Sequence, residues 1–135
     1  TKGKMWSWPL DPDNGVPSPT RTDSAYSLIP ANVQGFVRTA DYDIFSTSRD
    51  RDCRSRFIVI DRSSGKERRI YAPSMSEGIV NAGGSLFINF ESASSQYAAT
   101  ALDVTERVAY GTTSTFGATV LSDGFAPSAD DGCQG

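Results

Sequence analysis

Apolar residues along the chain fall into short runs, four to six positions long, cut by turn residues. Phe57-Ile58-Val59-Ile60 is aromatic and β-branched and runs into Asp61-Arg62-Ser63-Ser64-Gly65, a turn cluster. Lys66 to Tyr71 resumes as a strand, so the two segments predict a hairpin. Leu86 to Phe90 predicts a further strand behind the turn Gly83-Gly84. Met5 to Leu10 alternates and meets Asp11-Pro12-Asp13-Asn14-Gly15, another turn sequence. Ser94 to Tyr110 carries a passable helical stripe, but Val104, Thr105 and Val108 are poor helix formers, and strands are expected there.

Internal repetition organises these strands. Three segments end in an aliphatic residue followed by Asp: Trp8-Pro9-Leu10-Asp11, Val59-Ile60-Asp61 and Ala101-Leu102-Asp103. Glu67 to Tyr71 matches Glu106 to Tyr110 at an offset of 39. Gln34-Gly35-Phe36-Val37 matches Glu77-Gly78-Ile79-Val80 at an offset of 43, and Ile44 to Thr47 matches Leu86 to Asn89 at 42. Four strands in about 40 residues is the period of a β-propeller blade. The expected fold is therefore all-β, with antiparallel four-stranded blades of a β-propeller; a β-sandwich is the alternative.

The expected boundaries are a half blade over 1–30, a blade over 31–75, a blade over 76–116 and a closing strand over 117–126. A flexible tail is expected over 127–135. About two and a half blades cannot close a ring, so the missing sheets are expected from another chain or segment. Glycine in each Gln/Glu-Gly-apolar-Val segment suits an innermost strand where backbones converge.

Composition narrows the chemistry. The 135 residues hold 16 acids and 13 bases, a net charge of −3, so nucleic acid is not the expected partner. The charge is segregated: Arg49 to Arg69 has eight bases and four acids, net +4, leaving five bases and twelve acids, net −7, elsewhere. Arg49, Arg51, Arg54 and Arg56 are the candidate partner-binding residues, against a plain reading as a solvated loop of local ion pairs. No His is present, which excludes Ser-His-Asp triads, Cys-His pairs and His-ligated zinc within the chain. No metal and no cofactor is expected; Asp11 to Gly15 reads as a structural turn. Glu77, Glu91, Asp41 and Asp43 are the acids near the inner strands, and Gln34 is expected to be buried. Trp6 and Trp8 share a strand face and are expected in the core in preference to a sugar-stacking platform.

The longest purely aliphatic or aromatic run is Phe57 to Ile60, far from the ~20 residues of a spanning helix, so no membrane is expected. The opening at Thr1 without Met suggests a processed chain or a fragment. Cys53 and Cys133 read as two buried or reduced thiols, or as a disulfide in a secreted protein; secretion is favoured, with Arg outnumbering Lys ten to three.

Val33-Gln34-Gly35, the loop Ser48 to Arg56, Ala72 to Gly78 and Phe90-Glu91-Ser92 together resemble secreted actinobacterial β-propeller proteins of the dispase autolysis-inducing protein type, over about residues 5–110. The resemblance implies a seven-bladed ring, modulation of a metalloprotease's autolysis and a role as glutamine donor to transglutaminase. Gln134 and Gln96 would be the donors. The expected function is thus a secreted, non-catalytic module for protein–protein interaction. A fragment of a propeller hydrolase or lyase, and a glycan-binding propeller, are the alternatives.

Overall fold

In the computed structural model, residues 5, 6, 8–19, 29–112 and 133 are described, and these show strands and turns without helix. The chain divides into two compact units, residues 1–31 and 32–135.

In the first unit, Asp11 to Gly15 forms a tight turn closed by the isolated bridge Leu10↔Pro17. Asp11 Oδ1 accepts from the N–H groups of Asp13 (2.8 Å) and Asn14 (3.2 Å), and Gly15 supplies φ 71°. Among the described residues of the expected strand Met5 to Leu10, only Leu10 takes part in that bridge. Trp6 and Trp8 are 38% and 45% exposed, which corrects their expected place in a core.

The second unit holds two antiparallel sheets. The first is a meander in the order β1 (Val33–Arg38), β2 (Tyr42–Thr47), β3 (Ser55–Asp61), β4 (Glu67–Ala72). Each neighbouring pair is joined through a connection of three to seven residues, the local wiring of antiparallel hairpins. The β3–β4 turn repeats the chemistry of the first unit's turn: Asp61 Oδ1 accepts from the N–H of Ser63 (2.9 Å) and Ser64 (2.8 Å), and Gly65 has φ 71°. β4 is the outer edge, and its exposed Glu67, Arg68 and Arg69 discourage edge-to-edge pairing.

The second sheet has the order β5 (Ser76–Ala82), β6 (Ser85–Phe90), β7 (Ala109–Thr112). Gly83 and Gly84, at φ 58° and 81°, make the β5–β6 turn. Among the described residues this sheet has three strands, where four are expected over 76–116. Ala101-Leu102-Asp103 is not a strand, because its backbone is engaged elsewhere. Leu102 N–H donates to Arg51 O (2.7 Å), and Asp103 exchanges two hydrogen bonds with the Ser74 hydroxyl. β7 takes the third place beside β6 instead. The expected closing strand over 117–126 lies outside the described residues, as does the tail over 127–135 apart from Cys133.

One face of the first sheet packs on one face of the second. Val37, Ile44, Phe57, Val59 and Ala72 meet Ile79, Leu86 and Ile88, flanked by Tyr42, Ile70 and Phe90. Gly35 marks the closest approach: a Cβ there would lie 2.9 Å from both Glu77 O and Ile79 N. The backbones converge at β1 and β5, the strands that carry the Gly-apolar-Val repeat.

The ladders also revise the repeat. Val37↔Ile44↔Val59 in the first sheet corresponds to Val80↔Phe87↔Tyr110 in the second, and both β1 and β5 have an irregularity in register at Gln34 and at Glu77-Gly78. The equivalence of β2 and β6 is thus an offset of 43, not 42. A one-residue difference exchanges the two faces of a strand. Phe87 matches Ile44, while Leu86, the residue expected to match Ile44, lies in the core on the opposite face.

Candidate functional site

The chemistry-bearing residues gather at the end of the two sheets where β2, β4 and β6 finish and β3 and β5 start. Three loops meet there: 48–54, 73–75 and 91–108.

Five serines at this end, Ser46, Ser55, Ser74, Ser76 and Ser92, are at most 1% exposed. Burial of a hydroxyl is tolerated only when it is hydrogen-bonded. Ser46 Oγ and Ser76 Oγ lie 2.9 Å apart, and Ser55 Oγ accepts from Ser76 N–H at 2.8 Å. Ser74 Oγ donates to Asp103 O (3.0 Å) and accepts from Asp103 N–H (3.2 Å); Ser92 Oγ accepts from Thr105 N–H (3.0 Å). These contacts join β2 and β3 to β5 and fasten the loops to one another. None pairs a serine with a base, so they read as staples and not as nucleophiles. Ser94 Oγ is buried with no hydrogen-bond partner among the described residues. Met75 is held at φ 59°, an uncommon conformation for a residue other than glycine. There its carbonyl accepts from Glu91 N–H at 2.9 Å.

The basic loop is pinned at several points. Cys53 is joined to Cys133 in a disulfide, with Cα atoms 5.8 Å apart across 80 positions. Cys53 N–H donates to Asp50 O, and Arg51 O receives Leu102 N–H. The four arginines then divide. Arg54 faces Asp103 at 3.8 Å. Arg56 donates to Cys133 O at 3.1 Å and lies 5.4 Å over the Tyr71 ring. Arg49 and Arg51 are exposed. Arg54 on the loop and Arg56 at the start of β3 are thus engaged with the fold.

Glu77 and Glu91 meet at the same end, at the start of β5 and just after β6. Partial burial, and secondarily the charge of Glu91, push the Glu77 carboxyl above its usual range. Asp43, at the other end, is 1% exposed and held bidentately by Arg38, at 2.6 Å from Nε and 2.7 Å from Nη2. Its charge is thereby matched, and it is unavailable for acid–base work. Asp41 is exposed.

Gln34 is exposed, which corrects its expected burial: the irregularity in β1 turns it away from the core. Gln96 is exposed in a run of turns, and Gln134 lies outside the described residues. An open depression of about 470 Å³ is lined by Val104, Thr105, Glu106 and Arg107. Among the described residues, no three His, Cys, Asp or Glu side chains converge on a metal position, and no helix is long and apolar enough to cross a membrane.

Sequence reasoning found the basic loop and the Cys pair but missed the serine staples. Their signal was the recurrence of Ser at strand ends, at Ser46, Ser55, Ser76 and Ser92. Comparison with known protein families, with curated proteins and with solved structures finds no match for this chain.

Proposed function

We propose that the chain is part of a secreted, non-catalytic β-propeller that works by protein–protein contact, with the pinned basic loop as the surface offered to an acidic protein partner. The loop carries this reading. Its backbone is fixed by a disulfide and by a hydrogen bond from a second loop, and Arg49 and Arg51 on it are exposed. Charge held on an ordered loop binds with less entropy loss than charge on a free one. The disulfide suits an oxidising compartment.

The stacked-blade arrangement is supported by the meander order of the first sheet, by the close approach at Gly35 and by the register that recurs at an offset of 43. A β-sandwich describes the same two sheets; the recurring register favours blades. Further sheets would come from another chain or segment. Gln96 and Gln134 remain the proposed glutamine donors to transglutaminase.

The test is titration with a fluorescein-labelled poly-glutamate peptide, read by anisotropy at low and at physiological ionic strength. Binding that salt weakens, and that the double variant Arg49→Glu/Arg51→Glu abolishes with an unchanged circular dichroism spectrum, is the expected result. Absence of binding, or binding indifferent to the reversal, refutes the reading. A second reading, a propeller hydrolase or lyase, draws on the Glu77–Glu91 pair, where burial and the neighbouring Glu91 raise the Glu77 carboxyl.

A further inference from the structure

The turn of the first unit carries a reactive group with no part in the basic loop or the carboxylate pair, the side-chain amide of Asn14. The chain has four asparagines, Asn14, Asn32, Asn81 and Asn89, and only Asn14 is followed by glycine. Asn81 and Asn89 lie inside β5 and β6, which hold their backbone extended, and Asn32 leads into β1. Asn14 and Gly15 are both exposed, in a turn closed by a single bridge. Exposed backbone held by so few bonds opens locally at low cost.

The geometry of the turn sets what the amide can do. Asn14 Oδ1 accepts from Val16 N–H at 2.8 Å, a bond that spans the Asn14–Gly15 peptide and lays the side chain along it. The carboxamide carbon, Cγ, is thereby kept beside the Gly15 nitrogen. Val16 N–H also sits on the oxygen that takes negative charge when that nitrogen adds to Cγ, the arrangement that stabilises an oxyanion. Gly15 has no side chain to crowd the approach, and nothing lies within 4 Å of where its Cβ would be. One contact opposes the reaction. Gly15 N–H donates to Asp11 O at 2.8 Å and must leave it before the nitrogen can add. The net strength of such a bond slows the step by about two- to tenfold.

The β3–β4 turn has the same frame without the chemistry. Gly65 N–H donates to Asp61 O at 2.8 Å, and Gly65 has φ 71°. Ser64 stands where Asn14 does, and its hydroxyl accepts from Lys66 N–H at 3.3 Å. Serine thus makes the structural bond but has no acyl carbon to offer.

We propose that Asn14–Gly15 is a self-modification site, at which Asn14 is converted to aspartyl and isoaspartyl residues through a cyclic imide. The Gly15 N–H gives its proton to solvent hydroxide, and the nitrogen forms a bond to Asn14 Cγ. Oδ1 takes the carbonyl electron pair and is held by Val16 N–H. The pair returns, the Cγ–Nδ2 bond breaks, and Nδ2 takes a proton from water and leaves as ammonia. That water becomes the hydroxide consumed at the start. A second water then adds to one of the two imide carbonyls. Opening at Cγ leaves an ordinary aspartyl residue; opening at the backbone carbonyl leaves an isoaspartyl link, with the chain running through Cγ. The sum is amide and water giving carboxylic acid and ammonia, with no change of oxidation state. Either product adds a negative charge beside Asp11 and Asp13. The isoaspartyl product also adds one backbone atom inside the loop that Leu10↔Pro17 closes. None of this involves the basic loop, so the poly-glutamate result and this one stand or fall separately.

Incubation of the full oxidised chain at neutral pH and physiological temperature, followed by peptide mapping with mass spectrometry, tests it. The peptide holding Asn14 is expected to gain one mass unit over days to weeks and to split into two chromatographic forms. Isoaspartyl methyltransferase labels one of them. Asn32, Asn81 and Asn89 stay amides over the same period. The chain unfolded in urea converts at Asn14 no more than about tenfold faster, the span set by the Asp11 hydrogen bond. Asn14→Ser, the residue of the second turn, keeps the wild-type circular dichroism spectrum and leaves that peptide unlabelled. A peptide that keeps its mass, or that gains it without an isoaspartyl form, overturns the proposal. So does a larger acceleration on unfolding, or equal conversion at Asn81 or Asn89 in the folded chain, because the turn would then protect the amide or confer nothing.

Discussion

Replacing Gly35 with Ala tests whether the two sheets are held at the spacing the structure gives them. The new Cβ would lie 2.9 Å from Glu77 O, 2.9 Å from Ile79 N and 3.1 Å from Ile79 Cγ2. Ordinary contact begins near 3.4 Å, so β1 and β5 must part by about half an ångström. Two of the three obstructing atoms are backbone in a paired strand and cannot rotate away. Overpacking of this kind costs about 1–3 kcal/mol, and a backbone obstruction belongs in the upper half of that range. Loss of glycine's freedom in the unfolded chain returns about 0.5 kcal/mol. The net expectation is about 2 kcal/mol of destabilisation, a fall in Tm of roughly 8–16 °C for a unit of this size. Gly111→Ala is the internal control: nothing lies within 4 Å of its Cβ, so it gains the unfolded-state term without the clash. Urea unfolding followed by circular dichroism measures both variants. If Gly35→Ala unfolds within about 0.5 kcal/mol of Gly111→Ala, the close approach of β1 and β5 is wrong.

Three further outcomes are expected. Reduction of Cys53–Cys133 releases a link across 80 positions and lowers stability by up to about 4.5 kcal/mol on the chain-entropy account, seen as a fall in Tm with dithiothreitol; an unchanged Tm would show that the link constrains nothing. Asp43→Ala strands Arg38 without its bidentate partner and costs about 2–3 kcal/mol in urea unfolding, while Asp41→Ala, at an exposed residue, costs under about 0.5 kcal/mol. The Asp61 carboxyl is lowered from 3.8 to about 2, first by the Ser63 hydroxyl and then by the Ser64 N–H. Its folded pKa lies below its unfolded one, so its contribution is complete above pH 3.8 and is lost as pH falls towards 2. The difference in Tm between the wild type and Asp61→Asn should accordingly shrink over that interval, and a constant difference would contradict the turn's hydrogen bonding.

Much of the first sheet was legible because its signals are local. The run Phe57 to Ile60, the Asp61…Gly65 turn and the return to Tyr71 each specify a conformation without reference to distant residues, and β3 and β4 form where the pattern puts them. Residues 91–108 were illegible for the opposite reason. Local hydrogen bonds three and four positions apart fold 91–101 into turns, but Leu102, Asp103 and Thr105 are held by Arg51, Ser74 and Ser92, partners at least 13 positions away, and no short window contains that information. The faces of β6 were ambiguous for a third reason: Leu86-Phe87-Ile88 is apolar on both sides, so alternation could not decide which side turns inward. At the loop end, charge and cysteine pattern pointed to the basic loop. The engagement of Arg54 and Arg56 depended on Asp103 and Cys133, which only the fold brings near.

The serine trio Ser46, Ser55 and Ser76 has a consequence for conformational uniqueness. An aliphatic seam between two sheets discriminates poorly between neighbouring alignments, because sliding by one pleat replaces one set of methyl contacts with another. The hydroxyl of Ser46 against Ser76, with Ser55 accepting from the Ser76 amide, is satisfied in a single alignment and leaves buried polar groups orphaned in every other. Alanine at Ser46 and Ser76 together, with Ser55 kept as acceptor of the Ser76 amide, would remove the hydroxyl pair's share of that penalty from the shifted alignments. Such a variant should keep much of its resistance to urea while its amide NMR spectrum broadens or doubles, because the sheets are then glued but no longer indexed.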